Sequence, residues 1–170
     1  MIRLVALAFA VQAAPPSPPA VVTVAPPAEV AIVAGGRAEA QVVVTIREGF
    51  HIQANPASEP YLIPARLELA GDPRVRVGKS VYPPGRPYRL RGASSDLSTY
   101  EGTFVIGVPL EASKPPRSTA GAVTTEPTSL VLEGALHYQA CDDRVCLRPS
   151  SVPVRLPLRI EPRPAKAKGR

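Results

Sequence analysis

The stretch Val152-Pro153-Val154-Arg155-Leu156-Pro157-Leu158-Arg159-Ile160 decides the fold class. Val152, Val154, Leu156, Leu158 and Ile160 fall on one side of a period-two pattern, with prolines and arginines on the other. A strand with one buried face shows this alternation; a helix, with its 3.6-residue repeat, does not. Pro153 and Pro157 share parity, so both missing N–H donors lie along the same flank of the strand. Full pairing is then possible on the other flank only, which predicts an edge strand.

The same period recurs upstream. Leu130, Leu132, Leu136 and Tyr138 line one face of a long strand, with Glu133 and His137 opposite. Tyr100, Phe104, Ile106, Val108 and Leu110 form another apolar face, with Glu101 and Thr103 outward. Ile63, Ala65, Leu67 and Leu69 alternate inward against Arg66 and Glu68, and Val42, Val44 and Ile46 share a face in a β-branched run. Glu29 to Gly36 reads as a first strand closed by a Gly-Gly turn, and Phe50-His51-Ile52-Gln53 as a short strand after the turn Arg47-Glu48-Gly49. Val75 to Leu90 is weaker and contains the turn Tyr82-Pro83-Pro84-Gly85. With 22 prolines and 12 glycines spread through 170 residues, and no helix-period run, the count is seven or eight strands. The predicted architecture is an all-β, immunoglobulin-like β-sandwich. It lacks the inter-sheet Cys…Trp…Cys signature, since there is no Trp and the cysteines are close in sequence.

The length fits one domain with tails, and 45% hydrophobic content excludes wholesale disorder. Residues 1–13 read as a secretory signal, with Arg3 before the apolar run Leu4 to Val11 and Val11-Gln12-Ala13 as the cleavage site. Residues 14–28 read as a Pro-rich spacer, 29–161 as the domain and 162–170 as a basic, disordered tail. No apolar run reaches the ~18 residues of a membrane span. The expectation is a soluble protein in the periplasm or outside the cell, where disulfides persist. The net charge of +6 is mostly a property of the C-terminus: Arg159 to Arg170 contributes +4. No basic cluster interleaved with aromatics remains in the body, which excludes a nucleic-acid-binding face.

The covalent chemistry concentrates in His137-Tyr138-Gln139-Ala140-Cys141-Asp142-Asp143-Arg144-Val145-Cys146, which holds the only two cysteines. Two Cys and two His fall short of a four-ligand zinc site, and a single Met argues against a Met-rich copper carrier, so neither metal nor cofactor is expected. A Cys–His hydrolase would need His137 beside Cys141, about 13 Å away along an extended chain at about 3.3 Å per residue. Two readings stay open. The pair is a static staple in a binding or assembly domain, or it is a working dithiol–disulfide centre. A loop of about six residues gives a disulfide only about 2 kcal/mol in the chain-entropy model, so a purely structural role is energetically modest. Asp142 and Asp143 disfavour a thiolate, while Arg144 and Arg148 favour it.

Tyr138-Gln139-Ala140-Cys141 with Cys146-Leu147-Arg148-Pro149 resembles the cysteine motif of the N-terminal periplasmic domain of the thiol:disulfide interchange protein DsbD family. Three further stretches resemble that family in the same order: Arg47 to Ile52, Tyr82 to Gly85 and Tyr100 to Phe104. The resemblance runs from Glu29 to Ile160. It implies an immunoglobulin-like domain with thiol:disulfide oxidoreductase activity. Cys141 would be the attacking cysteine and Cys146 its disulfide partner. Electrons would come from a membrane electron-donor protein and pass to periplasmic thioredoxin-fold partners through a mixed disulfide. The family's longer proteins continue into a membrane domain and a thioredoxin-like domain; this sequence contains neither, so the donor would be a separate protein. The family's cap loop, an acidic pair followed by Phe-Tyr-Gly, has no counterpart between Arg86 and Thr99. Tyr88 or Tyr82 stands as a substitute shield, although a core or turn-packing tyrosine is the favoured reading of each. Phe50 and His51 are candidate site-lining residues alongside Tyr138, with His51 reading equally as an exposed strand residue.

Overall fold

Period-two alternation satisfies two demands at once, since apolar side chains leave water on one face while backbone groups pair edge to edge. In the computed structural model, which describes residues 20–89, 94–114 and 126–163, every regular element is a strand. Twelve occur: β1 (Val22–Val24), β2 (Val30–Val33), β3 (Arg37–Ile46), β4 (His51–Gln53), β5 (Arg66–Leu69), β6 (Val75–Val77), β7 (Arg86–Tyr88), β8 (Leu97–Tyr100), β9 (Thr103–Ala112), β10 (Thr128–Tyr138), β11 (Ala140–Cys141) and β12 (Ser150–Glu161). The expected seven or eight strands are exceeded because several of the twelve are only two to four residues long. Segments of that length hold too little period to be read from sequence and are fixed by their partners. β1 lies within the stretch expected to be spacer, where Val22 is buried and pairs with Ile46. The expected signal at 1–13 lies outside the described residues, as does most of the expected tail.

Two four-stranded sheets, β1-β3-β9-β6 and β2-β12-β10-β5, face one another across a single core. Val42 and Val44 of β3 and Ile106 and Val108 of β9 meet Leu132 and Leu136 of β10 and Leu156 and Leu158 of β12, all 2% exposed or less. This is the immunoglobulin-like sandwich expected from the alternation. Tyr100, Phe104, Leu110, Leu130 and Tyr138 are also buried as expected, whereas Ile63 is 37% exposed. The chain around Ile63 is irregular, and the β5 ladder begins only at Arg66.

The position of β12 corrects the edge-strand expectation. It pairs with β10 along its full length, from Ser150 opposite Tyr138 to Ile160 opposite Thr128. β2 pairs with it in parallel, but only from Leu158 to Glu161. The strand is therefore interior at its end and, among the described residues, an edge before that point. The amide of Ala34, just past β2, donates to the Glu161 carbonyl at 2.8 Å, so Glu161 directs its backbone toward β2. Pro153 and Pro157 share its parity, which turns their nitrogens to the flank that β2 leaves open.

A third sheet, β11-β4-β8-β7, closes one end of the sandwich. It is built from continuations of the main strands. β3 turns into β4 through Gly49 at φ 80°, and β8 turns into β9 through Gly102 at φ 62°. β10 runs into β11 across Gln139. The left-handed conformation at the two glycines is one that side-chain-bearing residues rarely adopt. Through these turns, residues from both main sheets converge on the small end sheet that carries the cysteines.

Candidate functional site

The cysteine segment folds as a tight hairpin. Cys141 and Cys146 are opposite one another as an antiparallel bridge, with Cα atoms 4.0 Å apart and their sulfurs joined in a disulfide. The turn between them is set by Asp142. Its Oδ1 accepts from the amides of Arg144 (2.8 Å) and Val145 (2.7 Å), and its own amide donates to the Val145 carbonyl at 3.0 Å. An Asp at the first position of a turn commonly does this. The two backbone donors, Val145 first, hold the Asp142 carboxyl below the ordinary carboxylate range. The arms are closed by the Leu147 amide donating to the Ala140 carbonyl (2.8 Å) and by the Gln139 side-chain amide donating to the Leu147 carbonyl (3.0 Å).

One arm of this hairpin is anchored and the other is not. Ala140 and Cys141 pair with Ile52 and His51 of β4, and Cys141 is 2% exposed. Every residue from Asp143 to Ser150 is exposed, Cys146 among them, with Val145 and Leu147 presenting apolar side chains on either side of it. The disulfide thus joins a buried cysteine to an exposed one.

His51 is directly opposite Cys141 in the ladder, so their side chains project from the same face. His51, Cys141 and Cys146 therefore form one transverse row. His51 is 2% exposed, which corrects the reading of it as an exposed strand residue. Its ring meets that of Tyr88 with centroids 4.0 Å apart, tilted at 34°. Its Nε2 is buried with no hydrogen-bond partner among the described residues, as is Oε1 of Gln53 two residues on. Burial pushes the imidazole pKa below 6.5, against the raising effect of the Glu101 and Asp142 charges. Beside this row opens a cleft of about 480 Å3, lined by Glu48, Phe50, His51, Tyr88, Glu101 and Asp143. The Arg47 guanidinium is centred 4.6 Å above the Phe50 ring.

Tyr88 is held in place indirectly. Tyr100, 3% exposed, accepts a hydrogen bond from the Asn55 amide (3.1 Å) and donates to the Pro83 carbonyl (2.9 Å). It thereby fastens the segment that leads into β7 against the loop that leaves β4. Gly85 has no room for a side chain, since a Cβ there would overlap Ser98 and Ala54.

Of the residues singled out in the sequence, Cys141, Cys146, His51, Phe50 and Tyr88 are brought together. Tyr138 is buried in the core three residues before Cys141, where desolvation raises its phenol pKa. Tyr82 sits elsewhere. Its hydroxyl accepts from the Leu67 amide at 2.8 Å, and it lines a separate groove of about 910 Å3 with Arg66, Glu68 and His137. His137 is half-exposed, with Nε2 3.3 Å from Glu68, so its polar partner is a carboxylate on β5. Sequence reasoning missed Asp142 as the turn-setting residue, Gln139 as the clasp and Glu101 as the charge facing His51. Asp142 had a legible signal, an Asp opening a four-residue polar turn between two cysteines. Among the described residues no group of three or more His, Cys, Asp or Glu is placed to hold a metal ion, and no helix is long and apolar enough to cross a membrane.

No family model matches the chain, and no curated protein matches it. Among solved structures it is similar to the N-terminal periplasmic domain of ScsB from Proteus mirabilis, with a TM-score of 0.48 and 12% sequence identity. The match covers 79% of this chain and 44% of that one, so the chain spans less than half of that structure's length.

Proposed function

We propose that this protein is an exported thiol–disulfide exchange module. It passes reducing equivalents to thioredoxin-fold partners of the periplasm through the Cys141/Cys146 pair and draws them from a membrane electron donor. The observation that carries this reading is the asymmetric disulfide, with Cys141 buried against β4 and Cys146 on an exposed arm. The exposed arm is the side open to a partner thiolate. It attacks Sγ of Cys146, the Cys141–Cys146 bond breaks, and Cys141 leaves as the thiolate and is then protonated. In the reverse direction the Cys146 thiolate attacks a partner disulfide, and Cys141 resolves the mixed disulfide by attacking Sγ of Cys146. Cys146 is thus the sulfur that meets partners, and Cys141 the resolving one. A short hairpin favours this use, because its opening leaves the ladders of the two large sheets intact.

A trapping experiment tests the roles. With Cys141→Ala, the Cys146 thiol should accumulate stable mixed disulfides with thioredoxin-fold proteins, whereas Cys146→Ala should trap none. Failure of both variants to trap any partner would overturn the relay. So would a redox titration placing the couple below about −300 mV, the range of disulfides resistant to reduction.

A further inference from the structure

The exchange chemistry contains a proton as well as two electrons, and the surroundings of Cys141 leave few groups to take it. Cys141 is 2% exposed, so its thiol is out of reach of bulk water while it is held in the ladder. An apolar, buried setting raises a thiol's pKa and keeps it protonated near pH 7, where it is a poor nucleophile. The side chain directly across the ladder is His51. Cβ atoms of directly opposed antiparallel residues lie about 4.5–5.5 Å apart, within reach of an imidazole. His51 is itself 2% exposed, and its Nε2 has no hydrogen-bond partner among the described residues although the ring is enclosed by Tyr88. A buried, unpaired ring nitrogen is costly to keep, so it calls for a partner in some state of the site.

We propose that His51 is the proton acceptor for Cys141 in the resolving step. Resting on the exchange reading above, the step balances as follows. With a partner sulfur bonded to Cys146, the Cys141 thiol gives its proton to neutral His51, and its sulfur attacks Sγ of Cys146. The Cys141–Cys146 bond forms, the bond from Cys146 to the partner breaks, and the partner leaves as a thiolate. His51 then returns the proton to water or to the departing thiolate through the cleft. In the reductive direction the ring first takes a proton from water or from the incoming thiol through the cleft, and as the imidazolium it gives that proton to Cys141 as it leaves. The charged and titratable groups around the ring suit this cycle. Glu101, from the β8–β9 turn, and Asp142, from the hairpin, stabilise the transient imidazolium, while burial keeps the resting ring neutral. Glu48, Asp143 and Arg47 line the same cleft, Tyr88 covers the ring and the Arg47 guanidinium lies over the Phe50 ring.

The test uses the reduced full chain and an aromatic disulfide, dithiobis(nitrobenzoate). The Cys146 thiolate releases a first nitrothiobenzoate, and the attack of Cys141 releases a second, so the two events are read separately by absorbance. In the wild-type protein the second release should stay level as pH falls from 8 and decline only below about 6.5, as His51 takes its own proton. In His51→Gln it should fall about tenfold per pH unit below the pKa of the thiol itself, and at pH 7 run at least about tenfold slower than wild type. The first release should differ by no more than about twofold between the two proteins. A wild-type second release that tracks only the thiol's ionisation overturns the proposal, as does a His51→Gln profile identical to wild type. Should the variant not fold, the wild-type profile alone decides. A static disulfide with no physiological partner would fail the trapping experiment yet still yield this profile, so the two readings fall separately.

Discussion

At the scale of single residues, two side chains, Tyr100 and Asp142, set the geometry of the site. Tyr100 links the loop after β4 to the turn before β7 by one accepted and one donated hydrogen bond. Tyr100→Phe keeps the ring stacked on Phe104 but leaves the Asn55 amide and the Pro83 carbonyl unpaired. A loss of about 1–3 kcal/mol is expected in a denaturant melt. The Tyr88 cover should loosen as well, seen as faster exchange of the β7 and β8 amides. Asp142 acts through its charge. Its folded-state pKa is depressed by the Val145 and Arg144 amides, so its contribution is full above the ordinary carboxylate value near 3.8. It is lost as pH falls from there through the depressed value. Carboxyl NMR titration should show Asp142 ionising below the ordinary carboxylate value, and Asp142→Ala should remove the acid-side change in the Arg144 and Val145 amide shifts. If Asp142 titrates at or above the ordinary value, the turn is not held in this way.

At the scale of elements, the long strands were legible and the short ones were not. β3, β9, β10 and β12 each run ten residues or more with one apolar face, and their buried residues follow the period almost without exception. β4 has no period to find, because His51, Ile52 and Gln53 are all buried, enclosed on both faces. This hid the role of His51: an alternation argument places a polar residue beside Ile52 outward, and only the end sheet puts it inward. The exposure of Cys146 was hidden for a related reason, since it depends on which arm of the hairpin pairs with β4. One element contact makes a sharp prediction. Gly134 of β10 lies against the β5 backbone, where a Cβ would overlap the Glu68 carbonyl. Gly134→Ala should push β5 off the ladder and destabilise the protein by about 1–3 kcal/mol, measured by denaturant unfolding. A neutral effect would mean that β5 is free to shift.

At the scale of the whole molecule, stability and redox state are only weakly coupled. The core lies between the two large sheets, and the disulfide closes a short hairpin at their end. Reduction should therefore lower unfolding stability by about 2 kcal/mol or less in the chain-entropy model, with the cooperative transition retained. Paired melts with and without dithiothreitol check this, and global unfolding on reduction would show the hairpin to be a structural keystone.

The flank of β12 that has no ladder partner before Leu158 among the described residues carries a last consequence. From Ser150 to Pro157 it lies immediately after the exposed cysteine arm, and two of the backbone positions directed there, Pro153 and Pro157, have no amide hydrogen to offer. A second copy of the chain, or any extended peptide, cannot zip onto that flank with a continuous ladder. A protein that comes to the exposed cysteine therefore has no continuous ladder to build along this flank, and contact there rests on side chains and shape.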